Sequence, residues 1–189
     1  MSTSAEFSLS GQLLIAMPNM LDPSFAGTVV YLCEHSSRGA MGLIINRPTD
    51  LDLRSLLEKI DLDVECLLPD SFPVMVGGPV APERGFVLHT TPLDWNSSLK
   101  VNDEISLTTS RDILEAVARG NAPERWLITL GYAGWGEGQL EQELAQNAWL
   151  TVAATREILF DLPLEARFTS AYAMLGIDPA LMSGAAGHA

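Results

Sequence analysis

Cys33 and His35 are the first side chains in this sequence whose types and spacing could support chemistry. They lie two residues apart on a predicted strand, so both should point to the same face of the sheet. A histidine beside a cysteine can lower the pKa of the thiol and activate it as a nucleophile. A buried, inert cysteine is the favoured alternative, because free cysteine is among the most buried residue types. A metal site is disfavoured, since Cys-x-His lacks the usual zinc spacing and only Cys66 and His89 could add ligands.

A second group of polar side chains lies at predicted strand ends and could bind an anion. Asn46 and Arg47 end one strand and Arg84 begins another, and a guanidinium group binds carboxylate or phosphate through paired hydrogen bonds. The favoured alternative is that each arginine pairs with one of the 24 acidic residues. His89 would support the ligand hypothesis if it faced the same cleft as Arg84 and His35, so that the side chains converged on one pocket.

The stretch from Trp126 to Trp149 is the most site-like part of the chain. It reads as a buried strand over residues 126–130, then four glycines within eight residues, then a helical pattern. This order resembles a phosphate-binding loop, but the glutamates at the start of the helix would repel a phosphate and no P-loop lysine is present.

Two other interpretations of this stretch remain. The favoured one is structural: Tyr132 and Trp135 pack over a tight turn, and the glycines allow backbones to cross. In the other, Gln139, Glu141 and Glu143 form a polar patch that receives a partner or a cationic ligand.

Composition limits the classes of function. The chain has 189 residues, which predicts one domain, and a net charge of −13. That charge disfavours direct nucleic-acid binding and contact with an anionic membrane, because both depend on Lys and Arg. Two cysteines do not form a disulfide framework, and we find no signal-peptide pattern. We therefore expect a cytoplasmic protein with no cofactor.

The hydrophobic patterns predict hairpin-spaced strands mixed with helices, which is typical of an α+β domain. Residues 11–176 should form that domain, with flexible tails at 1–10 and 177–189. We expect a strand at 74–76 to pair with one at 85–89, and Ser110 to cap a helix. The other predicted elements are strands at 12–17, 28–35, 41–46 and 103–108, a helix near 53–60, and a final helix that begins near Pro163 and carries an apolar stripe.

Four long runs also resemble a known family. These are LLIAMPNMLDPSF, VVYLCEHSSRGAMGLIINRP, VGGPV with RGFVLH, and GYAGWGEGQLEQELAQNAWL. Together they are similar to the AlgH/YqgE family of bacterial proteins, over nearly the whole chain. The resemblance implies a single domain with a bent, mostly antiparallel sheet that forms a pseudo-barrel with helices packed outside. It carries over no catalytic residues, and the family name reflects a proposed role in regulating alginate synthesis.

Three functional hypotheses follow. The leading one is a non-catalytic regulatory or protein-interaction domain with a protein partner, because no nucleophile–base set, metal set or phosphate cradle is recognisable; Tyr132 and Trp135 are of the type favoured in contact surfaces. The second is a small-ligand binder or enzyme that uses the Cys/His/Arg cleft. The third is a transcriptional regulator that acts on DNA directly, which the charge disfavours.

Overall fold

One curled sheet dominates the molecule. The computed structural model describes residues 8–69, 71–91 and 95–176. The strands in these residues are β1 (Gln12–Ala16), β2 (Val29–Ser36), β3 (Gly39–Ile44), β4 (Pro48–Asp52), β5 (Pro73–Val76), β6 (Val80–Thr90), β7 (Ser98–Lys100), β8 (Ile105–Thr108), β9 (Trp126–Trp135) and β10 (Trp149–Ala153).

The sheet follows the order β10-β1-β2-β3-β9-β6-β8-β7, and every neighbouring pair in this order is antiparallel. Strand β5 adds to β9 as a parallel neighbour and pairs with β4 on its other side. Strand β9 is therefore shared between two halves of the sheet, since its first part pairs with β5 and β6 and its last part pairs with β3. The α+β class and the bent, mostly antiparallel sheet in a half-barrel are confirmed.

Short helices cover the sheet and close its core. They are α1 (Leu53–Lys59), α2 (Asp112–Ala118), α3 (Gln139–Ala145), α4 (Leu164–Met174) and a π-helix at Glu157–Asp161. The predicted apolar stripe of α4 packs on the largest core cluster, in which Tyr31 and Tyr172 are fully buried. The other face of the sheet carries a second cluster, built around Trp135 and Trp149 under α3. No helix in the described part of the chain is long and apolar enough to cross a membrane.

Three details of the predicted elements are wrong. Strands β5 and β6 do not pair with each other, because β9 lies between them. The glycine turn does not begin after residue 130, because β9 continues to Trp135 and only residues 136–138 turn. Ser110 does not cap α2 through a backbone N–H; its hydroxyl donates to the Asp112 carboxylate instead.

Of the two predicted tails, the structure describes only residues 8–10. Residues 1–7 and 177–189 lie outside the described residues, so the predicted flexibility there stays a prediction. Leu9, which we placed in the tail, is buried in the second core cluster, and its backbone N–H donates to His35. The packed part of the chain therefore begins before residue 11.

Candidate functional site

A β-bulge in β2 separates the two residues that sequence spacing placed together. The register of β2 against β3 shifts between Leu32 and Glu34, and one extra residue in a strand reverses the faces of the side chains that follow. Cys33 accordingly packs in the large core cluster, whereas His35 contacts Leu9 and α3 on the opposite face. The prediction that they share a face is wrong.

The Cys33 thiol is buried and inert. Burial is the main cause that raises its pKa, and the nearby Glu34 carboxylate raises it further. A thiol in that environment stays protonated at neutral pH, so it is not an activated nucleophile. The interpretation of Cys33 as a buried core residue is confirmed.

His35 links the start of the described chain to α3. Its Nδ1 accepts a hydrogen bond from the Leu9 N–H (2.9 Å), so Nδ1 carries no proton in this arrangement and the proton lies on Nε2. Nε2 then donates to the Glu141 carboxylate, and this bond is the largest cause that lowers the pKa of Glu141. The pair tethers α3 to β2.

Asn46 and Arg47 hold the loop between β1 and β2. The Arg47 guanidinium donates to the carbonyl oxygens of Ser24 (2.6 Å) and Ala26 (3.0 Å). Asn46 accepts from the Val29 N–H and donates to a carbonyl in the same loop. The prediction that Arg47 pairs with a carboxylate is wrong, because loop carbonyls occupy its donors.

His89 is fully buried between β6 and β8. Its Nε2 lies 2.6 Å from the Thr108 hydroxyl, and the Trp95 ring packs edge-on at 5.0 Å. It does not share a cleft with Arg84 or His35. The predicted convergence of the cysteine, histidines and arginines on one pocket is therefore wrong, and the described residues contain no cluster of three potential metal ligands.

An aromatic cluster forms around the indole of Trp135, which is 5% exposed. Phe25, Trp135 and Trp149 lie with ring centroids 5.5 to 6.1 Å apart. Both indole N–H groups donate to the same oxygen of Glu143, at 3.2 and 3.0 Å, and Gln139 donates to its other oxygen. Glu143 therefore fixes this cluster, and the Trp135 indole is mostly packed in the core, with little of its surface exposed.

The glycines of β9 do allow backbones to cross. Gly131 has a φ of +81°, and a β-carbon there would lie 2.5 Å from the Gly78 carbonyl oxygen. The backbone at Gly78 can pass this close to β9 only because Gly131 and Gly78 carry no side chains. The prediction that the glycines allow backbones to cross is confirmed. The prediction that Tyr132 and Trp135 pack over a tight turn is wrong, because both residues belong to β9.

An open groove lies where β6 separates from β9. The register of β6 against β9 shifts between Val80 and Gly85, so the intervening residues bulge away from the sheet. On the other side of β9, Gly134 lies opposite Met41 and has no side chain to fill the space beside it. The resulting groove has a volume of about 520 Å³. We call it the β9 groove, and its lining residues are Ala40, Met41, Val80, Arg84, Phe86, Tyr132, Gly134 and Trp135.

The chemistry of the β9 groove is aromatic and cationic. Phe86 and Tyr132 meet edge-to-face with centroids 5.4 Å apart. The exposed Arg84 guanidinium lies over the Phe86 ring at 5.7 Å, and no described carboxylate lies within salt-bridge distance of it. A neighbouring hollow beside the β2–β3 turn shares Ala40, Met41 and Trp135 with the groove and is also lined by Glu34 and by Arg38, which forms no salt bridge with a described residue. The prediction that Arg84 pairs with a carboxylate is therefore also wrong for the described residues.

The predicted site residues therefore fall into separate places. Arg84, Tyr132 and Trp135 border the β9 groove; His35, Gln139 and Glu141 lie at α3; the remaining four, Cys33, Asn46, Arg47 and His89, are structural contacts elsewhere. Met41, Val80 and Phe86 were missed, because only the bulge in β6 brings them together.

Proteins of known sequence and structure resemble this chain along most of its length. The AlgH-like family model matches residues 13–180. A UPF0301 protein of Bordetella petrii is 60% identical over 180 residues, covering 95% of this chain and 89% of that relative. The solution structure of the AlgH protein from Pseudomonas aeruginosa is 48% identical with a TM-score of 0.78, covering 100% of this chain and 99% of that one. A Corynebacterium diphtheriae protein shares the fold at 19% identity and a TM-score of 0.66, over 83% of this chain and 81% of that one. The chain belongs to the AlgH-like family.

Proposed function

We propose that this chain is a non-catalytic protein-interaction domain that binds a partner polypeptide in the β9 groove. The observation that carries the proposal is Arg84, an exposed guanidinium group stacked on Phe86 with no carboxylate partner among the described residues. Arginine and aromatic side chains are the types enriched at the centres of protein interfaces. The groove is open along one side, which suits an extended segment better than an enclosed small molecule.

The partner segment should combine an apolar side chain with a carboxylate. Met41, Phe86 and Tyr132 supply an apolar floor, and Val80 is 39% exposed at the rim. Arg84 is the charged residue that lines the β9 groove, on a chain whose net charge is −13, while Arg38 lies with Glu34 in the neighbouring hollow. A carboxylate of the partner would form the ion pair that Arg84 lacks within its own chain.

Action through a protein also fits the overall charge. A chain with 11 basic and 24 acidic residues repels the phosphate backbone of DNA, so a regulatory role would operate through a partner protein. No set of groove residues combines a nucleophile with a base, which supports binding rather than catalysis.

A photo-crosslinking experiment tests the proposal. A benzophenone amino acid replaces Val80 in the groove or, as a matched control, Leu99 on β7, which is exposed to a similar extent at 41%. In cells that naturally contain the chain, the probe at position 80 should capture one protein through an apolar segment with a carboxylate. The charge reversal Arg84→Glu should abolish that product.

Three results would contradict the proposal. These are identical products from positions 80 and 99, a product that persists in R84E, and capture of a second copy of the chain in place of a different protein. Because Arg84 is exposed, the R84E variant should fold normally, and circular dichroism checks this.

A further inference from the structure

A second recess lies on another part of the molecule, between β5, the start of β9 and α4. Its volume is about 280 Å³. Most of the lining is apolar, and it includes Phe72, Met75, Trp126, Phe160 and Leu164. Phe72 and Trp126 stack on each other with centroids 4.3 Å apart, and both border the recess.

The one charged residue that lines this recess is Arg167. It lies on the buried face of α4 and is only 5% exposed. Its Nε donates to the Leu162 carbonyl oxygen (3.1 Å) and its Nη1 to the Ile45 carbonyl oxygen (2.7 Å). These bonds use two of the five N–H groups, so both N–H groups of Nη2 and one of Nη1 have no acceptor among the described residues and are left for a bound molecule.

The charge of Arg167 is not neutralised within the described chain. Asp161 is close enough to affect it, but Arg125 holds that carboxylate at 2.8 Å, and no described carboxylate lies within salt-bridge distance of Arg167. Burial is the main cause that lowers the pKa of Arg167, to about 10, so the group is cationic at neutral pH. Buried charges are normally paired, because an unpaired one loses its hydration without compensation.

We propose that this recess binds a small organic monocarboxylate, with the carboxylate on Arg167 and an apolar or aromatic body against Phe72 and Trp126. One negative charge matches the single positive charge of the recess, whereas a dianionic phosphate would bring an excess charge into an apolar lining. The volume of about 280 Å³ suits a compact molecule. The site is independent of the β9 groove, so each can fail without the other.

The test uses the full-length chain with 4-fluorobenzoate and its neutral analogue 4-fluorobenzamide, followed by ¹⁹F NMR. The benzoate should bind saturably and at least about tenfold more tightly than the benzamide, since hydrogen bonds to a charged partner exceed neutral ones by this order. Intermolecular nuclear Overhauser effects should connect the probe ring to the Trp126 indole. Arg167→Gln should remove the preference for the carboxylate, and Arg54→Gln, at an exposed arginine on α1 that lines neither the recess nor the β9 groove, should leave it unchanged.

Several outcomes would overturn the assignment: absence of benzoate binding, equal binding of the two probes, or Overhauser contacts that place the probe away from Trp126. A carboxylate preference that survives in R167Q would have the same effect. If R167Q does not fold, the comparison of the two probes and the position of the Overhauser contacts in the wild-type chain decide the question.

Discussion

Replacing Glu143 with alanine is the most direct perturbation of the cluster that anchors α3. One oxygen of Glu143 accepts from both the Trp135 and Trp149 indoles, at 3.2 and 3.0 Å, and both tryptophans are buried. The alanine variant leaves two indole N–H groups without this acceptor and also removes the bond from Gln139.

The expected loss follows from these contacts. Leaving a buried donor unsatisfied costs about 1–3 kcal/mol, and partial access of water to these two bonds places the sum near the lower end, at about 2 kcal/mol. For a chain of this size, that corresponds to a fall in melting temperature of about 4–8 °C. Glu143→Gln should cost less, because its side-chain oxygen can still accept from the indoles.

Urea unfolding, followed by tryptophan fluorescence and circular dichroism, measures the free energies of unfolding. Glu137→Ala is the matched control, since Glu137 lies in the same segment and no hydrogen bond or ion pair of its side chain is seen in the described structure. We expect E137A to be the most stable of the three variants, E143Q to be intermediate and E143A to be the least stable. An E143A variant as stable as E137A would refute the role assigned to Glu143.

Three further outcomes are expected. Gly131→Ala should lower the free energy of unfolding by about 2 kcal/mol or more, because its φ is positive and a β-carbon would lie 2.5 Å from a backbone oxygen, whereas Gly85→Ala meets nothing within 4 Å and should be nearly neutral in urea titrations. In thiol labelling of the native chain, Cys66 should react and Cys33 should not; equal rates would contradict the assigned burial. The pKa of Glu141 in the folded chain lies below its ordinary 4.5, so its carboxylate stabilises the fold above that pH, and this stabilisation is lost as the pH falls through the lowered value. The urea midpoint of the wild type should therefore exceed that of Glu141→Gln by less as the solution is acidified. A difference that grows on acidification would refute the assignment.

Strand positions with strong apolar patterns could be predicted from the sequence. Strands β1, β2 and the first half of β9 are continuous apolar or β-branched runs, which fix them locally. Strand β4 (Pro48–Asp52) is polar and begins with proline, so its pairing with β5 depends on long-range contacts that no local pattern reveals.

The candidate sites were harder to predict because they depend on register. A single bulged residue in β2 separates Cys33 from His35, and an irregularity in β6 creates the β9 groove. Neither is visible in a period-two pattern, which assumes regular pairing. Arg167 did leave a signal, because it interrupts the apolar stripe between Leu164 and Phe168 on the buried face of α4.

The affinity of the cross-linked partner segment, made as a synthetic peptide, tests the central claim most directly. Isothermal titration compares the wild-type chain with Arg84→Gln and with Arg54→Gln, an exposed arginine on α1, away from the strands of the groove. The R84Q variant should bind at least about tenfold more weakly, which corresponds to about 1.4 kcal/mol, while R54Q matches the wild type. Equal dissociation constants for all three chains would contradict a partner site at the β9 groove.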